Sequence, residues 1–117
     1  MLYTYKAKVI SVYDGDTLTV DIDLGFSIVM HNIKLRLAGI DTPEIRGGTE
    51  ETKKAARDAR DFVREKCLGK EIYLQSLKKG KYGRYIATVW HIEDLEKCEK
   101  SINDLLLENN LAVEYMK

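Results

Sequence analysis

The pattern that most restricts this chain lies in its first third. Tyr5 to Val12 and Thr17 to Asp23 alternate apolar and polar residues, the period of a half-buried strand, and Asp14-Gly15 between them is a hairpin-turn signal. A second turn is expected around Leu24-Gly25, followed by an extended run from Ser27 to Leu37. In that run Ile33, Leu35 and Leu37 share one face, and Lys34 and Arg36 share the other. The single proline, Pro43, ends the region in a loop that continues through Gly47-Gly48.

A helix follows. Thr49 is placed to cap it, Glu50 and Glu51 suit its first turn, and Ala55, Ala59, Phe62, Val63 and Cys67 form an apolar stripe that stops at Gly69. Glu71 to Leu77 and Tyr85 to Ile92 are expected strands, joined by a basic, glycine-containing connection from Lys78 to Arg84. Glu93 to Lys100 reads as a charged loop or short helical turn. A short final helix is expected from Ser101, with Asp104 in a capping-box-like position, to about Asn109-Asn110. Three strands, a helix, two strands and a helix predict an α+β fold that is mainly β. The arrangement suggested is a five-stranded Greek-key barrel of the oligonucleotide-binding type with two packed helices, residues 1–117 making a single domain.

No stretch of eighteen apolar residues occurs, which excludes a membrane-spanning helix and a membrane role of that kind. Met1 to Lys6 lack a charged segment leading into an apolar one, so a cytoplasmic or phage- or plasmid-encoded intracellular protein is expected, secreted only if a leader precedes the sequence. The 19 basic and 19 acidic residues cancel, but unevenly. Residues 51–90 carry eleven Lys/Arg against five Asp/Glu, a local excess of six that can meet phosphate. Cys67 and Cys98 lack paired-thiol spacing and read as free thiols; His31 and His91 lack zinc-ligand spacing and read as structural or surface residues.

Four carboxylates sit at structural breaks: Asp14 and Asp16 at a turn, Asp41 and Glu44 after a strand. Hard divalent cations favour such oxygen ligands, although each acid taken alone is ordinary loop content. Arg36 and Arg84 change the weighing. A guanidinium holds phosphate oxygens in its planar fork, and acids beside such clamps are what metal-assisted phosphodiester cleavage needs.

The blocks Val12-Tyr13-Asp14-Gly15-Asp16-Thr17, Leu35-Arg36-Leu37-Ala38-Gly39-Ile40-Asp41-Thr42-Pro43-Glu44 and Lys81-Tyr82-Gly83-Arg84 closely resemble the signature blocks of the staphylococcal nuclease (thermonuclease) family. The resemblance runs from about Lys6 to Tyr115, in family order. It implies the barrel above and Ca²⁺-dependent hydrolysis of DNA and RNA phosphodiesters to 3′-phosphates. By matching positions it implies Asp16, Asp41 and the carbonyl of Thr42 as calcium ligands, with Asp14 orienting water. It implies Glu44 as general base, Arg36 and Arg84 as phosphate-binding arginines, and Lys81 and Tyr82 as contacts to a neighbouring phosphate.

The implied substrate is DNA or RNA, single strands favoured, and the expected state is a monomer. Asp16, Asp41 and Glu44 are expected to converge on one side of the barrel, with Arg36 and Arg84 across a shallow groove. Besides Tyr82, the tyrosines and Trp90 are expected to be packing residues. The rival is a catalytically silent barrel that binds single-stranded nucleic acid or a protein partner. Retention of Asp16, Arg36, Asp41, Glu44 and Arg84 together favours the enzyme.

Overall fold

A computed structural model describes residues 3–43, 49–79, 83–91 and 100–114. Its strands are β1 (Thr4–Asp14), β2 (Thr17–Gly25), β3 (Ile28–Leu37), β4 (Ile40–Asp41), β5 (Glu71–Lys79), β6 (Tyr85–His91) and β7 (Val113–Glu114). The helices are α1 (Glu50–Cys67) and α2 (Ile102–Glu108). β1, β2, β3, β6 and β5 close in that order into a barrel, with α1 against β1 and α2 against β6. This is the expected five-stranded barrel with two helices. Closure comes from three parallel pairs, Leu35↔Tyr85, Arg36↔Ile86 and Leu37↔Ala87, while the other seams are antiparallel.

Alternation fills the interior. Leu18, Val20 and Ile22 of β2 face Val9 and Val12 of β1, Leu35 and Leu37 of β3, Ile72 and Leu74 of β5, and Ala87 and Val89 of β6. The register shifts twice in β1, between Val9 and Ser11 and between Val12 and Asp14. The first shift leaves Ile10 and Ser11 both exposed and lets Val9 and Val12, three positions apart, both point inward. The β2–β3 turn lies at Phe26-Ser27, both with positive φ, so Phe26 stands 96% exposed at the hairpin tip.

Thr49 caps α1 by accepting from the Thr52 N–H, and Ser101 caps α2 by accepting from the Asp104 N–H. The buried stripe of α1 is Ala56, Ala59, Val63 and Cys67, with Phe62 half-buried beside it. Ala56 takes the place expected for Ala55, because it lies directly three residues before Ala59 on the inward face. β5 continues to Lys79, two residues past its expected end at Leu77. Tyr5 and Tyr85 pack on the core as expected, but Tyr3, just before β1, and Tyr13, on its outward side, are exposed. Among the described residues no helix is long and apolar enough to cross a membrane.

The two shortest strands were not expected. Ile40↔Glu114 and Asp41↔Val113 form a separate two-stranded ribbon that fixes the chain just before Thr42. Asn103, at the start of α2, secures the neighbouring turn. Its buried amide accepts from the Val89 N–H at 3.1 Å and donates to the carbonyls of Ala38 at 2.8 Å and Ala87 at 3.2 Å.

Candidate active site

The β1–β2 hairpin reverses within Asp14-Gly15-Asp16-Thr17, and the Asp16 N–H donates to Asp14 Oδ1 at 3.2 Å across the turn. Gly15 is required by crowding. A Cβ there would stand 2.7 Å from Ala59 Cβ and 2.9 Å from Thr42 Cγ2. Three separate pieces of chain therefore meet at this glycine: the turn, the exit from β4, and the middle of α1.

That close approach brings Asp16 against Thr42. Asp16 is buried; its Oδ2 accepts from the Thr42 N–H at 3.2 Å, and its Oδ1 accepts from Thr17 Oγ1 at 3.2 Å. Arg36 lies opposite Thr17 in the β2–β3 register, so its side chain reaches the same spot. Its Nη1 is 3.1 Å from Asp16 Oδ2 and also donates to the carbonyls of Leu37 at 3.1 Å and Ile40 at 2.8 Å. Its Nη2 donates to Asp41 Oδ1 at 3.3 Å. One guanidinium thus joins a buried acid from the hairpin to a half-exposed acid from β4. Arg84 Nη1 donates to Thr17 Oγ1 at 3.3 Å, so the second arginine meets Asp16 through a single hydroxyl.

The structure therefore gathers Asp14, Asp16, Arg36, Asp41, Thr42 and Arg84 around the hairpin turn. Arg36 lies between the two acids; the groove expectation had put it across from them. The reason is register, since pairing with Thr17 sets it next to Asp16. Glu44, Lys81 and Tyr82 lie outside the described residues. Thr17, Gly15 and the β7 ribbon were missed as site-building parts. Thr17 was visible within the Asp14-Gly15-Asp16-Thr17 block, whereas the ribbon carries no periodic signal.

The two turn acids divide one proton. Burial pushes the Asp14 carboxyl up, and its contact with the neighbouring Asp16 charge adds to this, to about 7. Burial works the same way on Asp16. There the hydrogen bond from Asp14, the Arg36 charge, the Thr42 N–H and the Thr17 hydroxyl outweigh it, and Asp16 is held below the usual carboxylate range. Asp16 is thus the ionised member at neutral pH, and Asp14 the one that takes up a proton as pH falls through about 7.

Among the described residues no group of three or more His, Cys, Asp or Glu side chains is placed to hold a metal ion. The site offers two carboxylates, Asp16 and Asp41, and the backbone of Thr42 between β4 and the loop. Thr42 Oγ1 is buried without a hydrogen-bond partner among the described residues. An all-oxygen set of this kind, with an orphaned hydroxyl beside it, fits a hard cation such as Ca²⁺ and not a thiolate- or imidazole-seeking metal.

Residues 34–117 match the family model described as staphylococcal nuclease homologue. The chain belongs to the staphylococcal nuclease homologue family. It is 35% identical over 85 residues to a thermonuclease of Staphylococcus hyicus, covering 71% of this chain and 47% of that protein. It is 34% identical over 101 residues to an uncharacterized protein of Bacillus anthracis, covering 80% and 44%. It is 31% identical over 106 residues to an uncharacterized protein of Methanocaldococcus jannaschii, covering 74% and 48%. The chain spans less than half the length of each of these relatives.

Proposed function

We propose that this protein is a calcium-dependent nuclease that hydrolyses DNA and RNA phosphodiesters, single strands by preference, to 3′-phosphate products, acting as a monomer. One observation carries the reading: in a chain of this family, Arg36 ties the buried Asp16 to Asp41, with Arg84 one hydroxyl away.

Asp16, Asp41 and the Thr42 carbonyl would hold the calcium ion. When bound, the ion supplies polarisation of the scissile phosphate and neutralises charge on it. Arg36 is pre-positioned by the Leu37 and Ile40 carbonyls, so little side-chain freedom is lost when a phosphate oxygen meets its fork. Arg84 faces the same phosphate from β6's leading end, and the pair offsets the charge that builds on the equatorial oxygens. Removing one such donor costs roughly 10²–10³ in rate. Asp14 orients water at the Asp16 carboxylate, Glu44 takes the proton of the attacking water, and Lys81 and Tyr82 meet the adjacent phosphate and sugar. A glutamate of ordinary basicity contributes modestly, so positioning by the arginines and acids carries most of the acceleration.

The test is cleavage of labelled single-stranded DNA with Ca²⁺, with EDTA, and by Glu44→Gln. Calcium-dependent cleavage that the chelator abolishes and the substitution greatly reduces is expected. Binding without cleavage, surviving EDTA, would replace the nuclease with a silent binding module.

A further inference from the structure

α1 carries a feature that the catalytic residues leave unused and that packing against β1 uses at Arg64. Lys53, Arg57, Arg60 and Arg64 recur at spacings of four, three and four, which confines them to an arc of roughly 60° and a length of roughly 16 Å. Glu51, Asp58 and Glu65 recur every seven residues on the other side of the helix. The arrangement works against the helix itself. Like charges at i,i+3 and i,i+4 repel, and Lys53–Arg57, Arg57–Arg60 and Arg60–Arg64 are three such neighbours in succession. Local relief is partial: Lys53 Nζ is 3.9 Å from Glu50, and Arg60 Nε donates to Asp61 at 3.2 Å.

The stripe passes the candidate active site. Ala59, the residue before Arg60, is the one that presses on Gly15 between Asp14 and Asp16. Arg64 Nη2 donates to the Val12 carbonyl at 3.1 Å, two residues before Asp14. The next residue along β1, Tyr13, points away from the core and is 59% exposed. Cations track a phosphate backbone, and an exposed ring beside them offers a stacking face that only unpaired bases can reach.

We propose that the Lys53–Arg57–Arg60–Arg64 face of α1, with Tyr13, is a binding path for single-stranded polynucleotide that runs past the catalytic turn. The proposal rests on the nuclease reading for its substrate class, and its test is independent of catalysis.

Binding of a fluorescein-labelled oligothymidylate, longer than the helix, is measured by anisotropy in EDTA across a range of salt. Lys53→Gln/Arg57→Gln is expected to weaken binding on the order of tenfold at low salt. It should also flatten the slope of log affinity against log salt by about 1.4, two phosphate contacts' worth. Tyr13→Ser is expected to weaken binding about fivefold or more with the slope unchanged, as loss of stacking does. Lys54→Gln/Lys66→Gln removes the same charge from other faces of α1 and should change affinity less than about twofold. The path is overturned if Lys53→Gln/Arg57→Gln binds like the wild type, if the control pair loses as much, or if the wild type binds no strand. Binding losses as expected in a protein that cleaves nothing with Ca²⁺ would keep the path and remove the nuclease; cleavage with unchanged binding in the stripe variant would do the reverse.

Discussion

Gly15→Ala probes the contact that assembles the site. The glycine's φ is one that an L-residue adopts, so the cost is steric: the new methyl would lie 2.7 Å from Ala59 Cβ and 2.9 Å from Thr42 Cγ2. Neither neighbour is the free end of a long side chain. Ala59 is fixed on α1, and Thr42 is buried beside Asp16. Overpacking of this kind costs about 1–3 kcal/mol, and a central value of about 2 kcal/mol is expected here. At about 2.1 cal/mol/K per residue of unfolding entropy, that lowers Tm by about 8 °C. A compensating change isolates the cause. Ala59→Gly alone should cost about 1 kcal/mol in helix propensity and about 0.8 kcal/mol for the buried methyl. Independent effects would place Gly15→Ala/Ala59→Gly near 4 kcal/mol below the wild type. Because the second change removes the closest clash, the double variant should instead lie about 2 to 3 kcal/mol below it, the Thr42 contact remaining. Urea unfolding of the four proteins measures the cycle. A single variant within about 0.5 kcal/mol of the wild type, or strict additivity, would refute the argument that α1 and Thr42 press on this turn.

Arg36→Met should destabilise the metal-free protein by about 3 kcal/mol, because it leaves the buried Asp16 carboxylate without its cation; chemical denaturation in EDTA reads it. Asn103→Ala should cost about 2–3 kcal/mol in the same assay, since it takes the amide partner from the buried Val89 N–H and from the Ala38 carbonyl, while the Ala87 carbonyl keeps the Ala38 N–H. The Cys67 thiol, pushed up by burial to about 12 against the partial pull of Lys70 and Lys66, should ignore a thiol reagent at pH 8 until urea unfolds the chain. The folded state holds that proton more tightly, so Cys67 contributes stability that is present below pH 9 and lost as pH rises from 9 toward 12.

The barrel was legible because most of its strands bury one face, and alternation at Thr17 to Asp23 or Ile33 to Leu37 reports that directly. Where the backbone bulges, the period fails: the shift after Val9 leaves Ser11 exposed and turns Val12 inward, and no residue type announces it. The β4–β7 ribbon was invisible because two residues cannot display a period, and its partners are separated by more than seventy positions. The capping residues Thr49 and Ser101 were legible because their side-chain oxygens act within the local sequence. At the site, the acids and arginines stood out by chemical type. Their order in space did not, since the position of Arg36 between Asp16 and Asp41 depends on strand register. Thr17 was passed over as an ordinary strand residue, although its hydroxyl is what connects Arg84 to Asp16.

The central claim is that the hairpin turn and the exit from β4 form one catalytic centre. Asp41→Asn tests it most directly, because half of that side chain is exposed and the fold should tolerate the change. The decisive measurement is the initial rate of Ca²⁺-dependent cleavage of labelled single-stranded DNA by wild type and variant at matched concentrations. The account expects the variant to fold normally and to cleave at least about a hundredfold more slowly. Undiminished cleavage by Asp41→Asn, or a wild type that calcium does not activate, would contradict it.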